Sequence, residues 1–109
     1  MISNLKTFEN KNFEKLTVIE KDSEFFFIAN EVVTMLGYVN PRKAVYDHVD
    51  EEDKDVTKWN TPGGIQNISI INESGLYSLI FSSKLPQAKI FKVWVIREVL
   101  PSIRKMEDI

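Results

Sequence analysis

The sequence is poor in the residues that build covalent and metal-bound sites. Its 109 residues include no cysteine, one histidine, four glycines and four prolines. Without cysteine the chain forms neither disulfides nor thiolate metal centres. Its strongest apolar run, residues 25–29, is far too short to span a bilayer, and the first residues lack the apolar core of a signal peptide. We therefore expect a cytoplasmic protein that does not engage a membrane.

No combination of residues matches a catalytic, nucleotide or metal site. His48 lies beside Asp47 and is read as a helix-terminal charge rather than a base or a ligand. The acidic residues 50–55 lack the glycine and the terminal glutamate of a calcium loop. The pair Gly63-Gly64 is not followed by the Lys-Ser/Thr of a phosphate loop. The sequence thus predicts a binding module rather than an enzyme, with no cofactor, no metal and no small-molecule substrate.

The length and an ordinary balance of 43% hydrophobic and 28% charged residues predict one compact domain. Apolar residues alternate or cluster so as to predict two β-hairpins, each followed by helices, with about four short helices in all. This order indicates an α+β fold with antiparallel strand pairs. Residues 1–11 are polar and unpatterned and are predicted to be a flexible arm, residues 12–105 the folded domain, and residues 106–109 a tail.

Capping residues predict where the helices begin and end. Asn30 and Asn72 are each placed to cap a helix, and Gly37 is placed to end the first of them. Asn40-Pro41 combines an N-cap residue with a proline at the first helical position, which predicts a second helix start a few residues later.

The two predicted helices 30–36 and 41–49 resemble a helix-turn-helix, in which the start of the second helix enters the major groove. Asn40, Arg42 and Lys43 would then contact bases, because arginine pairs with guanine and asparagine with adenine. The alternative is a simple helical corner with an exposed polar start. The turn 61–64 has two interpretations as well, a wing that touches phosphates or an ordinary chain reversal.

The segment from residue 84 to residue 105 holds six basic residues and one acid, although the whole chain carries a net charge of −2. Its cations suit a phosphate backbone, and the predicted contacts are Lys84, Lys89, Lys92, Arg104 and Lys105. Aliphatic residues interrupt them on the same side of the predicted helix, namely Ile90, Val93, Ile96 and Leu100. These four either form a protein interface or pack into the domain's own core.

Several segments in fixed order resemble the N-terminal domain of the BRO family of phage and prophage antirepressors. They span roughly residues 13–105 and are LGYVNPRKA at 36–44, DHV at 47–49, TPGG at 61–64, INESGLYSLI at 71–80, FK with WV at 91–95, and EVLPSIRK at 98–105. The resemblance implies a viral regulatory protein acting in a bacterial host cell, in a family associated with nucleic-acid binding and with relief of a lysogenic repressor. Many members carry a further C-terminal domain. Members often have polar or basic residues where this chain has Ile90, Val93 and Ile96.

Two functions from different classes therefore stand side by side. The first is an antirepressor-type transcription regulator that binds DNA. The second is a protein–protein antirepressor, which binds a phage repressor or assembles with itself into a homo-oligomer without specific DNA binding.

Overall fold

The computed structural model describes the backbone of residues 2–107 and the side chains of residues 5–105. Within these limits the chain forms one five-stranded antiparallel sheet, four α-helical segments and a short 3₁₀ helix (Glu51–Asp53), which confirms the predicted α+β class. The strands are β1 (Ile2–Asn10), β2 (Phe13–Lys21), β3 (Glu24–Ile28), β4 (Lys54–Thr61) and β5 (Gly64–Asn72). The helices are α1 (Ala29–Met35), α2 (Pro41–His48), α3 (Glu73–Ser82) and a final segment made of α4 (Pro86–Trp94), a π-helical turn (Val95–Val99) and α5 (Leu100–Glu107).

The spatial order of the strands is β1-β2-β3-β5-β4. Both predicted hairpins are present, β2 with β3 and β4 with β5, and β3 joins them by pairing with β5. Because β3 has only five residues, it pairs with β5 over residues 70–72 alone. The rest of the β4–β5 hairpin continues past the end of β3 as a two-stranded ribbon, residues 56–69.

The helices cover one face of the sheet and form the main core with it. The largest fully buried side chains of this core include Phe27, Leu16, Leu76 and Phe91. The other face carries a smaller cluster of four buried residues, Ile19, Phe26, Ile28 and Ile70.

The sheet is strongly curled, as an ion pair across its second face demonstrates. Lys21 in β2 reaches Asp55 in β4 with its Nζ atom 3.1 Å from the carboxylate, and it also donates to the carbonyl oxygen of Val56 at 3.1 Å. In a flat sheet these strands would lie about 14 Å apart, since two strands separate them. The pKa of Asp55 is lowered, first by the backbone N–H of Val56 and then by Lys21.

Most of the predicted helix boundaries are confirmed. The side chains of Asn40 and Asn72 accept hydrogen bonds from the backbone N–H groups of Lys43 and Gly75, at 3.1 and 2.9 Å. Gly37 has a φ of +82° and follows the last turn of α1. This positive φ favours glycine, and a β-carbon there would lie 2.5 Å from the Cδ1 atom of Leu85, so the exposed Leu85 side chain would also have to move.

The predicted cap at Asn30 is wrong. Helix α1 starts one residue before it, at Ala29, and Ile28 holds the N-cap position without a side-chain hydrogen bond. The strand runs directly into the helix here, so the helix start follows from the end of β3 rather than from a local capping signal.

The predicted flexible arm is also wrong for residues 2–10, which form the edge strand β1. This strand pairs with β2 along its whole length, from Ile2 opposite Lys21 to Asn10 opposite Phe13. Phe8 packs against the main core. The predicted C-terminal tail is helical as far as Glu107, and residues 1, 108 and 109 lie outside the described part of the chain.

Across residues 2–107 the longest helical segments remain too short or too polar to cross a membrane.

Candidate nucleic-acid interface

The first turn of α2 is exposed and positively charged. Asn40 and Lys43 are exposed, and Arg42 is exposed without a hydrogen bond or ion pair to the described residues. The side-chain oxygen of Asn40 is committed to the cap of α2. Lys43 forms an ion pair with Asp47 one turn later, with a nitrogen–oxygen distance of 2.6 Å. Of the three predicted base-contacting residues, Arg42 thus has the least engaged side chain.

The start of α2 forms one wall of a cleft of about 780 Å³, and the β4–β5 ribbon forms the opposite wall. Asn40, Arg42 and Tyr46 lie on the helical wall, while Trp59 and Ser69 lie on the ribbon wall. The floor is made by the junction of β3 and α1, residues 28–31. The fold thus brings together two features that the sequence predicted separately, the helix start and the hairpin.

The cleft is mixed in charge. Lys54 lies on its ribbon side, with its Nζ atom 5.7 Å from the centre of the Tyr46 ring and 3.1 Å from Glu51. Glu31 lies on its floor and is half-buried; burial raises the pKa of its carboxyl group, although hydrogen bonds from Thr17 partly offset this. A polyanion would therefore meet its most favourable potential at the Arg42 end of the cleft.

The basic segment is divided by the fold into separate surfaces. Lys89 and Arg97 line a groove with Asn10 at the end of β1. Lys92 lies on another flank, with its Nζ atom 5.1 Å from the centre of the Phe81 ring on α3. Arg104 forms an ion pair with Glu73 at 3.2 Å. Lys84 and Lys105 are exposed. None of these residues lines the cleft at α2, so the predicted base and phosphate contacts do not share that cleft.

Three of the four predicted interface residues are on the surface. Ile90, Val93 and Ile96 are 50%, 43% and 44% exposed, and we call these three residues the α4 strip. Leu100 is only 6% exposed and belongs to the main core, so its predicted place in a protein interface is wrong.

The π-helical turn explains the different position of Leu100. The backbone N–H of Leu100 donates to the carbonyl oxygen of Val95, five residues back instead of four. One extra residue in the turn rotates everything after it by about 100°. Leu100 is thereby moved from the exposed side of the helix to the side that carries Val99 and Ile103 in the core.

His48 closes α2 on the surface, with its ring centre 5.8 Å from that of Tyr38. The pKa of the neighbouring Asp47 is lowered, mainly by its hydrogen bond from Lys43. Over the described part of the chain, no group of three or more His, Cys, Asp or Glu residues is arranged to hold a metal ion.

A model of the BRO family, N-terminal domain (Bro-N), matches residues 15–101, which is most of the chain. The chain belongs to the BRO family.

Relatives of this Bro-N domain occur in a bacterium and in viruses. An uncharacterized protein of Haemophilus influenzae is 42% identical over 101 residues, covering 91% of this chain and 49% of the relative. A putative Bro-N domain-containing protein of Invertebrate iridescent virus 6 is 36% identical over 98 residues, covering 73% of this chain and 24% of the relative. An uncharacterized Bro-N domain-containing protein of Autographa californica nuclear polyhedrosis virus is 30% identical over 112 residues, with coverages of 88% and 34%. The chain spans half or less of these relatives' lengths, and no solved structure shows significant similarity to it.

Sequence reasoning missed two features of this Bro-N surface. The first is the exposed face of the β4–β5 ribbon, which no apolar alternation indicates, because Val56 and Trp59 lie on opposite faces of β4. The second is the pair Tyr77 and Phe81 on α3, whose rings stack with centres 6.2 Å apart. Phe81 is 64% exposed, because α3 buries Leu76, Leu79 and Ile80 instead.

Proposed function

We propose that this protein is an antirepressor-type transcription regulator whose Bro-N domain binds DNA. The observation that supports this most directly is the cleft that unites the start of α2 with the β4–β5 ribbon. Its two walls are an exposed helix start and a projecting two-stranded ribbon, both of which are elements that fit a DNA groove.

The electrostatics of the α2 start support contact with a polyanion. The N-terminus of a helix carries partial positive charge, which favours phosphate, although in α2 Pro41 has no N–H and the N–H of Lys43 is already bonded to Asn40. Arg42 adds an exposed guanidinium in this turn, with no ion pair to any residue that the structure describes. The Lys43–Asp47 ion pair is exposed, and exposed pairs contribute little free energy, so Lys43 can exchange its carboxylate for a phosphate.

A titration of salt against duplex DNA affinity tests this function. We expect binding at about 50 mM salt and a linear fall of log affinity with log salt, because each phosphate contact releases counterions. Arg42→Ala should weaken binding to all sequences and reduce the salt slope by about one. The matched control is Lys11→Ala, an exposed cation in the β1–β2 turn, away from the cleft. Absence of binding at low salt, or binding without a salt slope, would contradict the proposal.

A protein–protein antirepressor is the second candidate, and the α4 strip is the observation that favours it. Three aliphatic side chains, each more than two-fifths exposed, lie together on one helix beside a groove lined by Trp94. Clustered exposed aliphatic surface of this kind is typical of protein interfaces.

The self-association part of this candidate predicts that Val93→Lys lowers the mass measured by light scattering at high concentration. A matched control is Val39→Lys, because Val39 is 99% exposed and lies outside the strip. If the wild type is already a monomer, and Val93→Lys leaves it unchanged, the strip has no role in self-association.

A further inference from the structure

The β4–β5 ribbon has dimensions suited to a DNA groove. Its strands pair from Val56 opposite Ser69 to Thr61 opposite Gly64, without a third strand beside β5 among the described residues. Six residue pairs at about 3.3 Å each give a projection of about 20 Å. At the tip of the ribbon the hydroxyl of Thr61 donates a hydrogen bond of 2.7 Å to the carbonyl oxygen of Gly64, which stabilises the turn. The major groove of B-DNA is wide enough to admit a two-stranded β-ribbon.

The two faces of this ribbon differ in burial. One face packs back on the protein, where Trp59 and Ile68 join the small core cluster around Ile28 and Ile70. The other, which we call the open face, is exposed at all six positions: Val56, Lys58, Asn60, Ile65, Asn67 and Ser69. The open face therefore has no partner within the described residues, while the packed face holds the ribbon in place.

The chemistry of the open face matches the edges of base pairs. It offers two amides, one ammonium and one hydroxyl, which are groups that hydrogen-bond adenine and guanine in the major groove. Its two aliphatic side chains are suited to thymine methyl groups. No carboxylate lies among its six residues, in a chain with 16 acids. Lys58 and Asn67 are directly opposite each other at its centre.

The start of α2 is less suited to reading bases than to holding a phosphate. The oxygen of Asn40 already accepts the hydrogen bond that caps the helix, and a bidentate contact with adenine needs that oxygen as well as the amide nitrogen. Arg42 is an exposed guanidinium in the first turn of α2, where the helix dipole favours a phosphate. Ser69 is the one open-face residue that lines the cleft with Arg42, beside Trp59 and Ile68 of the packed face, so the base of the ribbon lies next to the start of α2.

We propose that the open face of the β4–β5 ribbon reads base edges in the major groove, while the start of α2 holds the adjacent phosphate. This inference rests on the proposed DNA-binding function and assigns the reading of sequence to the ribbon rather than to the helix pair.

The test is selection of binding sites by the full chain from a random duplex library, followed by sequencing and by affinity measurement on the selected site. Lys58→Ala and Asn67→Ala should each relax the preference at one or two base pairs and lower affinity for the selected site on the order of tenfold. The control Gln66→Ala changes an exposed residue on the ribbon's other face and should leave the preference unchanged. Arg42→Ala should weaken all sites alike. Thermal melting confirms that each variant is folded.

Failure of the ribbon as the base-reading element can be distinguished from failure of DNA binding itself. If the wild type binds duplex DNA without selecting any sequence, or if Arg42→Ala shifts the preference while the ribbon variants keep it, the ribbon is not the reader and DNA binding still stands. If the wild type selects no DNA at about 50 mM salt, the DNA-binding function itself is overturned.

Discussion

At the scale of single residues, Glu31 supplies a hydrogen-bond acceptor to β2 at a position where no neighbouring strand provides one. Strand β2 pairs with β3 only from Val18 onward, because the chain leaves β3 after Ile28 and enters α1. Thr17, which is 2% exposed, would otherwise have an unpaired backbone N–H on that side. Glu31 accepts this N–H at 2.7 Å and the hydroxyl of Thr17 at 3.0 Å. A buried donor left without a partner would cost about 1–3 kcal/mol.

Glu31 should therefore make stability depend on pH in a definite direction. Burial raises its pKa in the folded protein above the ordinary glutamate value, despite the two hydrogen bonds. A raised carboxyl pKa means that its stabilising contribution is fully present below the unfolded pKa and is lost as pH rises through the folded pKa. The free energy of unfolding of the wild type, minus that of Glu31→Gln, should increase as pH falls from about 7 toward about 4.

Urea unfolding of both proteins at several pH values measures this difference. The subtraction matters because Asp47 and Asp55 have lowered pKa values and contribute in the opposite direction. Glutamine keeps an acceptor for the Thr17 N–H and does not titrate, which makes it the matched variant. If the difference in free energy of unfolding does not change, or decreases, as pH falls, then burial does not raise the pKa of Glu31 in the folded protein.

At the scale of secondary-structure elements, helix α2 allows two roles of Asn40 to be tested separately: capping the helix and contacting a base. Asn40→Ala should destabilise the protein by about 1 kcal/mol, because it removes the acceptor for the Lys43 N–H. Asn40→Ser should restore most of that loss, since serine caps helices about as well as asparagine.

Chemical denaturation of the two variants checks the cap, and DNA affinity measured on the same samples checks recognition. If Asn40→Ser regains stability and also binds DNA like the wild type, Asn40 acts through the fold of α2. If it regains stability but loses the preference at one base pair, Asn40 itself contacts a base. Equal destabilisation by alanine and serine would contradict the capping role.

The final helical segment shows the limit of a helical wheel. Sequence reasoning predicted a helix from Pro86 to about Leu100 with a break or restart at Pro101, and the structure instead has a π-helical turn just before the proline. Because Pro101 has no N–H to donate to the carbonyl oxygen of the residue four positions earlier, one α-helical hydrogen bond is missing at this point. A helical wheel correctly places Ile90, Val93 and Ile96 on one exposed side, because these residues precede the π-helical turn or lie within it. It wrongly places Leu100, which follows the turn, on that same side.

At the scale of the whole molecule, the edge strand β1 is part of the fold. Removing residues 1–11 would uncover β2, in which Leu16 and Val18 are 0% and 1% exposed, and would take away the contact of Phe8 with the core. We expect a loss of stability on the order of 3 kcal/mol, comparable to the removal of a large core side chain. The uncovered strand edge should also favour aggregation.

Urea midpoints and light scattering of the shortened chain test this expectation. Lys11→Ala serves as the control, because it changes the exposed β1–β2 turn without removing a strand. A shortened chain with an unchanged midpoint would mean that β1 adds nothing to the stability of the sheet.

The sequence by itself determined the features that depend on near neighbours. The caps at Asn40 and Asn72, the left-handed glycine at Gly37 and both hairpins were predictable, because each rests on contacts within a few residues. The exposed start of α2 was predictable for the same reason.

Only the tertiary structure decided which segments meet. That Ile2–Asn10 is a strand, and that β3 stops early and leaves the β4–β5 ribbon free, both depend on pairing between residues far apart in the chain. The cleft between α2 and the ribbon is of this kind, since its walls come from separate parts of the sequence. Local patterns predict the elements, whereas burial against distant partners decides their packing and so assembles the candidate site.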